Sequence, residues 1–390
     1  MKHWKIKTAI LSICFVTLIY LVISVSVAGL IQAFPDTPES TVMLVLTLPA
    51  LTSILGFVAV PALLKRFCTK TVALAGLVLM LLGGIASVLF STKLAVLIGA
   101  GVIMGIAYGI LSTMYPLLVD AYFTGEERTF TMGIATGALQ LGRLSATFVA
   151  GFLAESAWVR VYDTFLLVVV ALVLVMLLLP KNAAKRETTA QDMPDKTTDR
   201  GEIVKLCIVG MLFAAVYFLT STHVSLYIEG YGLGTPAVTG TVTAATSAVA
   251  LVSFFFSRIY RHTKEATLPV ALGAMGLGFL LTGTVVSLWS MCVGLALAAF
   301  SMALFSPYVM LKTTGAAGTG KAPIVTAVVL TCINFGYFVS PYVTQAASDY
   351  LGDGSVRMAF LFGAIAALLI AALLGARMLL WPKAPKKEVS

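Results

Sequence analysis

Residues 161–180 read VYDTFLLVVVALVLVMLLLP, and residues 181–202 directly after them read KNAAKRETTAQDMPDKTTDRGE. This contrast decides the fold. No charged side chain occurs between Phe165 and Pro180, and about 20 apolar residues are what a helix needs to cross about 30 Å of hydrocarbon. In a bilayer such a run satisfies its backbone N–H and C=O groups by folding as a helix. The polar stretch that follows cannot bury apolar surface and reads as a flexible linker.

Working outward from it, the apolar pattern recurs along the whole chain. Spans are expected at 8–31, 42–63, 72–91, 94–118, 131–154 and 161–180, then at 205–228, 238–257, 267–286, 289–311, 323–346 and 357–380. Tight turns near Ser91-Thr92-Lys93 and Ser287-Leu288 separate two of the pairs. The composition agrees: 59% of residues are apolar and 11% charged, against roughly a quarter charged in soluble proteins. The expected organisation is an all-α membrane protein with twelve transmembrane helices, an N-terminal half (1–180), a cytoplasmic linker (181–204) and a C-terminal half (205–390). The start, Met1-Lys2-His3-Trp4-Lys5-Ile6-Lys7, has the charge of a signal peptide, but the long apolar run behind it reads as a retained first span.

The net charge of +9 is a topology signal and gives no reason to expect a nucleic-acid partner. With an internal N-terminus, 22 of the 26 basic residues fall in cytoplasmic segments; Lys93, Arg160 and Arg357 fall outside and Arg143 lies within a span. Such a positive-inside bias places both termini in the cytoplasm. Cys14, Cys68, Cys207, Cys292 and Cys332 have neither disulfide nor metal-ligand spacing and read as free thiols.

The two halves echo each other. Lys65–Lys70 after the second span matches Arg258–Lys264 after the eighth, and Pro116 matches Pro307. A shift of 194 positions lays Gln140 on Asn334, Gly142 on Gly336, Arg143 on Tyr337 and Glu155 on Asp349. Internal duplication of this kind is built into many transporters.

Gly56–Lys70, running into Thr71–Gly76, resembles the signature loop between spans two and three of the major facilitator superfamily. Asp120–Arg128, followed by Met132-Gly133, resembles that family's loop into span five. Ala33-Phe34-Pro35-Asp36 and Thr47-Leu48-Pro49 are similar to its bacterial, drug-exporter-like branch. The chain departs from the pattern where Lys65 replaces the loop acid and Cys68 its glycine. It departs again at Gly101, where proton-linked exporters carry arginine, and at Gly142-Arg143, where the antiporter motif has Gly-Pro. The resemblance implies two pseudo-symmetric six-helix bundles around a central cavity, rocking between inward- and outward-open states in a bacterial plasma membrane. By branch it implies proton-linked export, with uptake or exchange of an organic anion as the alternative.

Arg143 is the one charged residue expected at mid-span. An ionised group there is costly and is a functional candidate by default. Its guanidinium suits a carboxylate or phosphate, while the structural alternative is an arginine bonded to carbonyls or capping a helix. Gln140 lies one turn before it on the same face, and Asn334 with Tyr337 repeats the pair in span eleven; interhelix hydrogen bonding is their alternative role. Tyr20, Tyr108 and Tyr217 near mid-span have amphipathic rings suited to a binding cavity or to ordinary packing. His223 is the proton-coupling candidate, with an interfacial hydrogen bond as the alternative. Gly101, Gly105 and Gly109, and Gly133 with Gly137, have the spacing of close helix contacts.

Gly315–Lys321 has the glycine–lysine spacing of a phosphate-binding loop, but Ala322 follows where the motif needs Ser or Thr, and no strand precedes it. A flexible cytoplasmic turn is expected there. No catalytic motif, metal site or cofactor is expected. The partners are a small-molecule solute, the bilayer and protons as coupling ion, with the carrier acting as a monomer. The rival reading is a receptor or scaffold that keeps the fold without transport.

Overall fold

The computed structural model describes residues 2–180, 198–318 and 322–380, and among these the regular elements are helices. Each apolar run forms a helix that turns back on the one before. They are α1 (His3–Ala33), α2 (Leu44–Arg66), α3 (Thr69–Leu89), α4 (Leu94–Tyr122), α5 (Gly125–Ala154) and α6 (Trp158–Leu178) in the first half. The second half has α7 (Arg200–Gly230), α8 (Pro236–Ser247, continued by a 3₁₀ stretch, Ala248–Phe255), α9 (Thr267–Thr284), α10 (Leu288–Ala316), α11 (Ala322–Leu351) and α12 (Val356–Leu380).

Ten helices in the described residues are long and apolar enough to cross a membrane. The other two expected spans, α5 and α8, are helical but lie outside that set. The reason is in their sequences: α5 carries Gln140, Arg143 and several threonines, and α8 reads PAVTGTVTAATS. These two less apolar helices pack against each other across the molecule, so part of their surface faces protein instead of lipid. 3₁₀ stretches interrupt α1 at Ile19–Ser26 and continue α8 at Ala248–Phe255, and a third, Trp158–Phe165, opens α6; mid-helix stretches such as the first often mark hinges.

Buried apolar side chains gather in two clusters. One is built almost wholly from residues before the linker, from Ile6 to Leu179, and the other from residues after it, Leu206 to Ala367. The large apolar side chains left exposed, such as Leu166, Leu177, Leu277 and Leu373, lie along the spans, as expected where lipid is the solvent. All five cysteines are free.

The ends at Lys2, Arg66, Tyr122, Leu178 and Arg200 share one face, here the linker face. Lys7 pairs with Glu127 there at 2.8 Å, fastening α1 to α5. On that face Gly315 is helical, and the remainder of the expected glycine-rich turn, 319–321, lies outside the described residues, as does most of the expected linker, 181–197.

The close helix approaches fall where glycine removes a side chain. A Cβ on Gly109 would stand 2.9 Å from the Gly56 Cα, which brings α4 onto α2 as the glycine spacing predicts. Gly133 departs from its expected role, since nothing lies within 4 Å of the place its Cβ would take. The close contacts of α5 are made further along, by Gly142 against the Phe15 backbone and by Gly151 against Gly240 of α8. At Gly133, near the linker face, no neighbouring helix closes on α5.

Candidate functional site

Hydrogen bonds join the two halves in the described residues at several places. The Ser225 hydroxyl accepts from the Ala28 backbone N–H at 3.2 Å and donates to Glu229 at 2.6 Å. The Thr235 hydroxyl donates to Glu155 at 2.8 Å. Ser53 reaches Asn334 Oδ1 at 3.4 Å, near mid-depth. The first two lie at the face opposite the linker, where a Cβ on Gly240 would sit 2.8 Å from the Gly151 Cα. The halves are therefore drawn together at that far face.

Below this seam, at mid-depth, the helices bring aromatic and polar side chains to one place. Arg143 on α5 is half-buried, and the phenols of Tyr20 on α1, Tyr108 on α4 and Tyr337 on α11 lie close enough to feel its charge. Tyr217 on α7 stands beside Tyr337. The rings of Tyr20 and Tyr108 are 5.0 Å apart, Phe57 meets Tyr108 at 6.2 Å, and Phe218 meets Tyr337 at 5.1 Å. Both halves thus contribute walls to one site.

The guanidinium of Arg143 makes no hydrogen bond or ion pair with the described residues, and the Gln140 amide and the hydroxyls of Tyr20, Tyr108, Tyr217 and Tyr337 make none either. These atoms are also absent from the sealed, unpartnered polar atoms of the described residues, such as the hydroxyls of Tyr122 and Ser301, so they open onto accessible space. A buried polar group without a partner is expensive; a set of them brought close together can bond something else. One fixed cation, four phenols and an amide can grip an anionic head and lay rings against an apolar body.

The other two sequence candidates stand elsewhere. Asn334 is buried and committed, donating to the Leu330 carbonyl at 2.9 Å and accepting from Ser53, so it joins α11 to α2. His223 is buried where α7 is interrupted, 2.7 Å from the Thr222 hydroxyl through Nδ1 and edge-on to Phe360 of α12. Sequence reasoning missed Ser53, Phe57 and Phe218. Phe57 and Phe218 look like any lipid-facing aromatic, and only Ser53, a lone hydroxyl in an apolar run, left a signal.

A membrane-embedded bundle pair, closed at one face around a polar site shared by its halves, has the architecture of a solute carrier. Residues 8–270 match the Major Facilitator Superfamily, and the chain belongs to that family. Solved structures show the same fold. A peptide transporter in complex with sulfate is 12% identical, with a TM-score of 0.77 over 96% of this chain and 94% of its own. A transporter of the same peptide family in complex with 5-aminolevulinic acid is 15% identical, with a TM-score of 0.72 over 96% of each chain. A D-xylose–proton symporter is 16% identical, with a TM-score of 0.71 over 99% of this chain and 98% of its own. Comparison with curated proteins gave no match.

Proposed function

We propose that this chain is a secondary carrier for a small organic anion, binding it at Arg143 with Gln140, Tyr20, Tyr108, Tyr217 and Tyr337 around it, and moving it by alternating access. The observation that carries the reading is the half-buried guanidinium with no protein partner among the described residues. An arginine fixed for structural reasons would be bonded to carbonyls or a carboxylate, because a desolvated charge needs a partner. The basic residues of the linker face make that face cytoplasmic, with the carrier in the cell membrane and the seam at Gly151 and Gly240 on the outside.

Proton-linked export, the expectation from the branch resemblance, has less support than anion uptake or exchange. The relatives above are peptide transporters and a proton symporter, the described spans hold no carboxylate at mid-depth, and the contacts of His223 are the Thr222 hydroxyl and the Phe360 ring. A scaffold without transport is separated by counterflow. Purified carrier in liposomes loaded with unlabelled benzoate, benzenesulfonate, phenyl phosphate or succinate should accelerate entry of the same labelled anion over protein-free liposomes. Entry at the protein-free rate for all four rejects the proposal.

A further inference from the structure

We infer that the carrier works by obligatory exchange of monoanions: the empty protein stays on one side, and only the anion-loaded protein crosses. The inference rests on the anion site proposed above and deepens it to a mode of coupling.

The argument is one of charge. A guanidinium is a cation and a phenol is neutral at physiological pH, so the empty site carries one positive charge. Nothing in the described structure cancels it. Asp120, Asp163 and Glu229 stand near the ends of α4, α6 and α7, Glu229 accepts from Ser225 at the far-face seam, and tyrosines are the ionisable side chains that feel the charge of Arg143. With the halves drawn together at the far face, Arg143 is half-buried and water can solvate the guanidinium.

To face the other way the two bundles must shut the linker face before the far face opens. Closing a site expels water and strengthens every uncompensated charge in it. A single bound anion brings the occluded site to neutrality through charge-assisted hydrogen bonds to the guanidinium. An empty site has no such partner, and a lone charge shut away from water is among the costliest states a membrane protein can enter. A dianion would leave the loaded site negative, so monoanions are favoured. No proton carrier is required, consistent with the position of His223 against Phe360 and Thr222.

The test uses the full-length purified protein. Binding is measured first, as the rise in apparent melting temperature with benzoate, benzenesulfonate, phenyl phosphate or succinate, since a ligand that binds only the folded state stabilises it. The tightest monoanion becomes the labelled probe. Its entry into liposomes loaded with the same anion is compared with entry into liposomes holding only potassium chloride, with the membrane potential clamped by valinomycin. Exchange should exceed net entry by at least about 100-fold, which corresponds to about 2.7 kcal/mol on the barrier.

A second reading follows the empty protein directly. Thr147 is buried beneath the seam, its carbonyl against Gly240. In a cysteine-free background, Thr147→Cys should react with an impermeant maleimide from the far side only when anion is present. The added change Arg143→Gln should make that reaction independent of anion. Net entry equal to exchange, with binding intact, overturns obligatory exchange and leaves the anion site standing. Absence of binding by all four anions overturns the site and the exchange with it.

Discussion

A guanidinium in the middle of a bilayer carries a penalty of about 2.5–3.5 kcal/mol on insertion scales, and the surroundings of Arg143 show what offsets it. Three tyrosines lie within reach of its charge, and their hydroxyls leave its bidentate edge free for a ligand. Truncation should therefore act on affinity. Arg143→Ala is expected to weaken binding of an anionic probe by about 2–5 kcal/mol, as for one partner of a desolvated charge pair. Arg143→Lys should recover only part, since the ammonium keeps the charge but lacks the planar fork. Melting temperatures measured beside the affinities distinguish the roles: a structural arginine would lower stability in both variants and leave affinity alone. Asn334 gives the opposite pattern. Its hydrogen bonds to Ser53 and Leu330 mean that Asn334→Ala should loosen α2 from α11, with a loss of roughly 1 kcal/mol typical of interhelix bonds in membranes.

Among the elements, α5 and α8 make a close crossing between the halves. Their crossing at Gly151 and Gly240 brings two backbones together with no side chain between, and the Thr235–Glu155 bond lies just beyond it. Gly240→Val puts atoms where the Gly151 Cα and the Thr147 carbonyl already stand, 2.8 and 2.9 Å from a Cβ. Overpacking costs about 1–3 kcal/mol, and here much of it is relieved by opening the seam. A Thr235→Cys, Glu155→Cys pair should cross-link under mild oxidation, and Gly240→Val should cut that yield several-fold. Gly133→Ala, in open space on the same helix, is the control and should leave the yield unchanged. Equal yields in both variants would show that the crossing does not hold the far face shut.

At the scale of the whole molecule, orientation is tested through Cys68. It lies between α2 and α3 on the linker face, half-buried, 3.0 Å from the Thr71 hydroxyl. That hydrogen bond, helped by the start of α3, holds the thiol below its ordinary value. Thiolate is the reactive form, so maleimide labelling should rise with pH and reach half its maximum below about 8.5, the free-cysteine value. Thr71→Val should move that midpoint upward. With the linker face in the cytoplasm, an impermeant maleimide should label Cys68 in inside-out vesicles and not in intact cells; a Cys introduced at Thr37, in the loop between α1 and α2 on the far face, should behave the other way round. Reversed labelling would invert the orientation. The sequence by itself determined the class, an all-helical membrane protein, and marked Arg143 as the charge in need of a reason, because a bilayer constrains each span separately and penalises a charge wherever it falls. The tertiary structure alone decided that α5 and α8 pair, that Asn334 bonds Ser53, and that four tyrosines from α1, α4, α7 and α11 lie near one another. Apolar helix surfaces attract without direction, so a span's pattern says that it will be buried or lipid-facing but not which helix it will meet, and a binding site shared by several helices exists only once those partners are chosen.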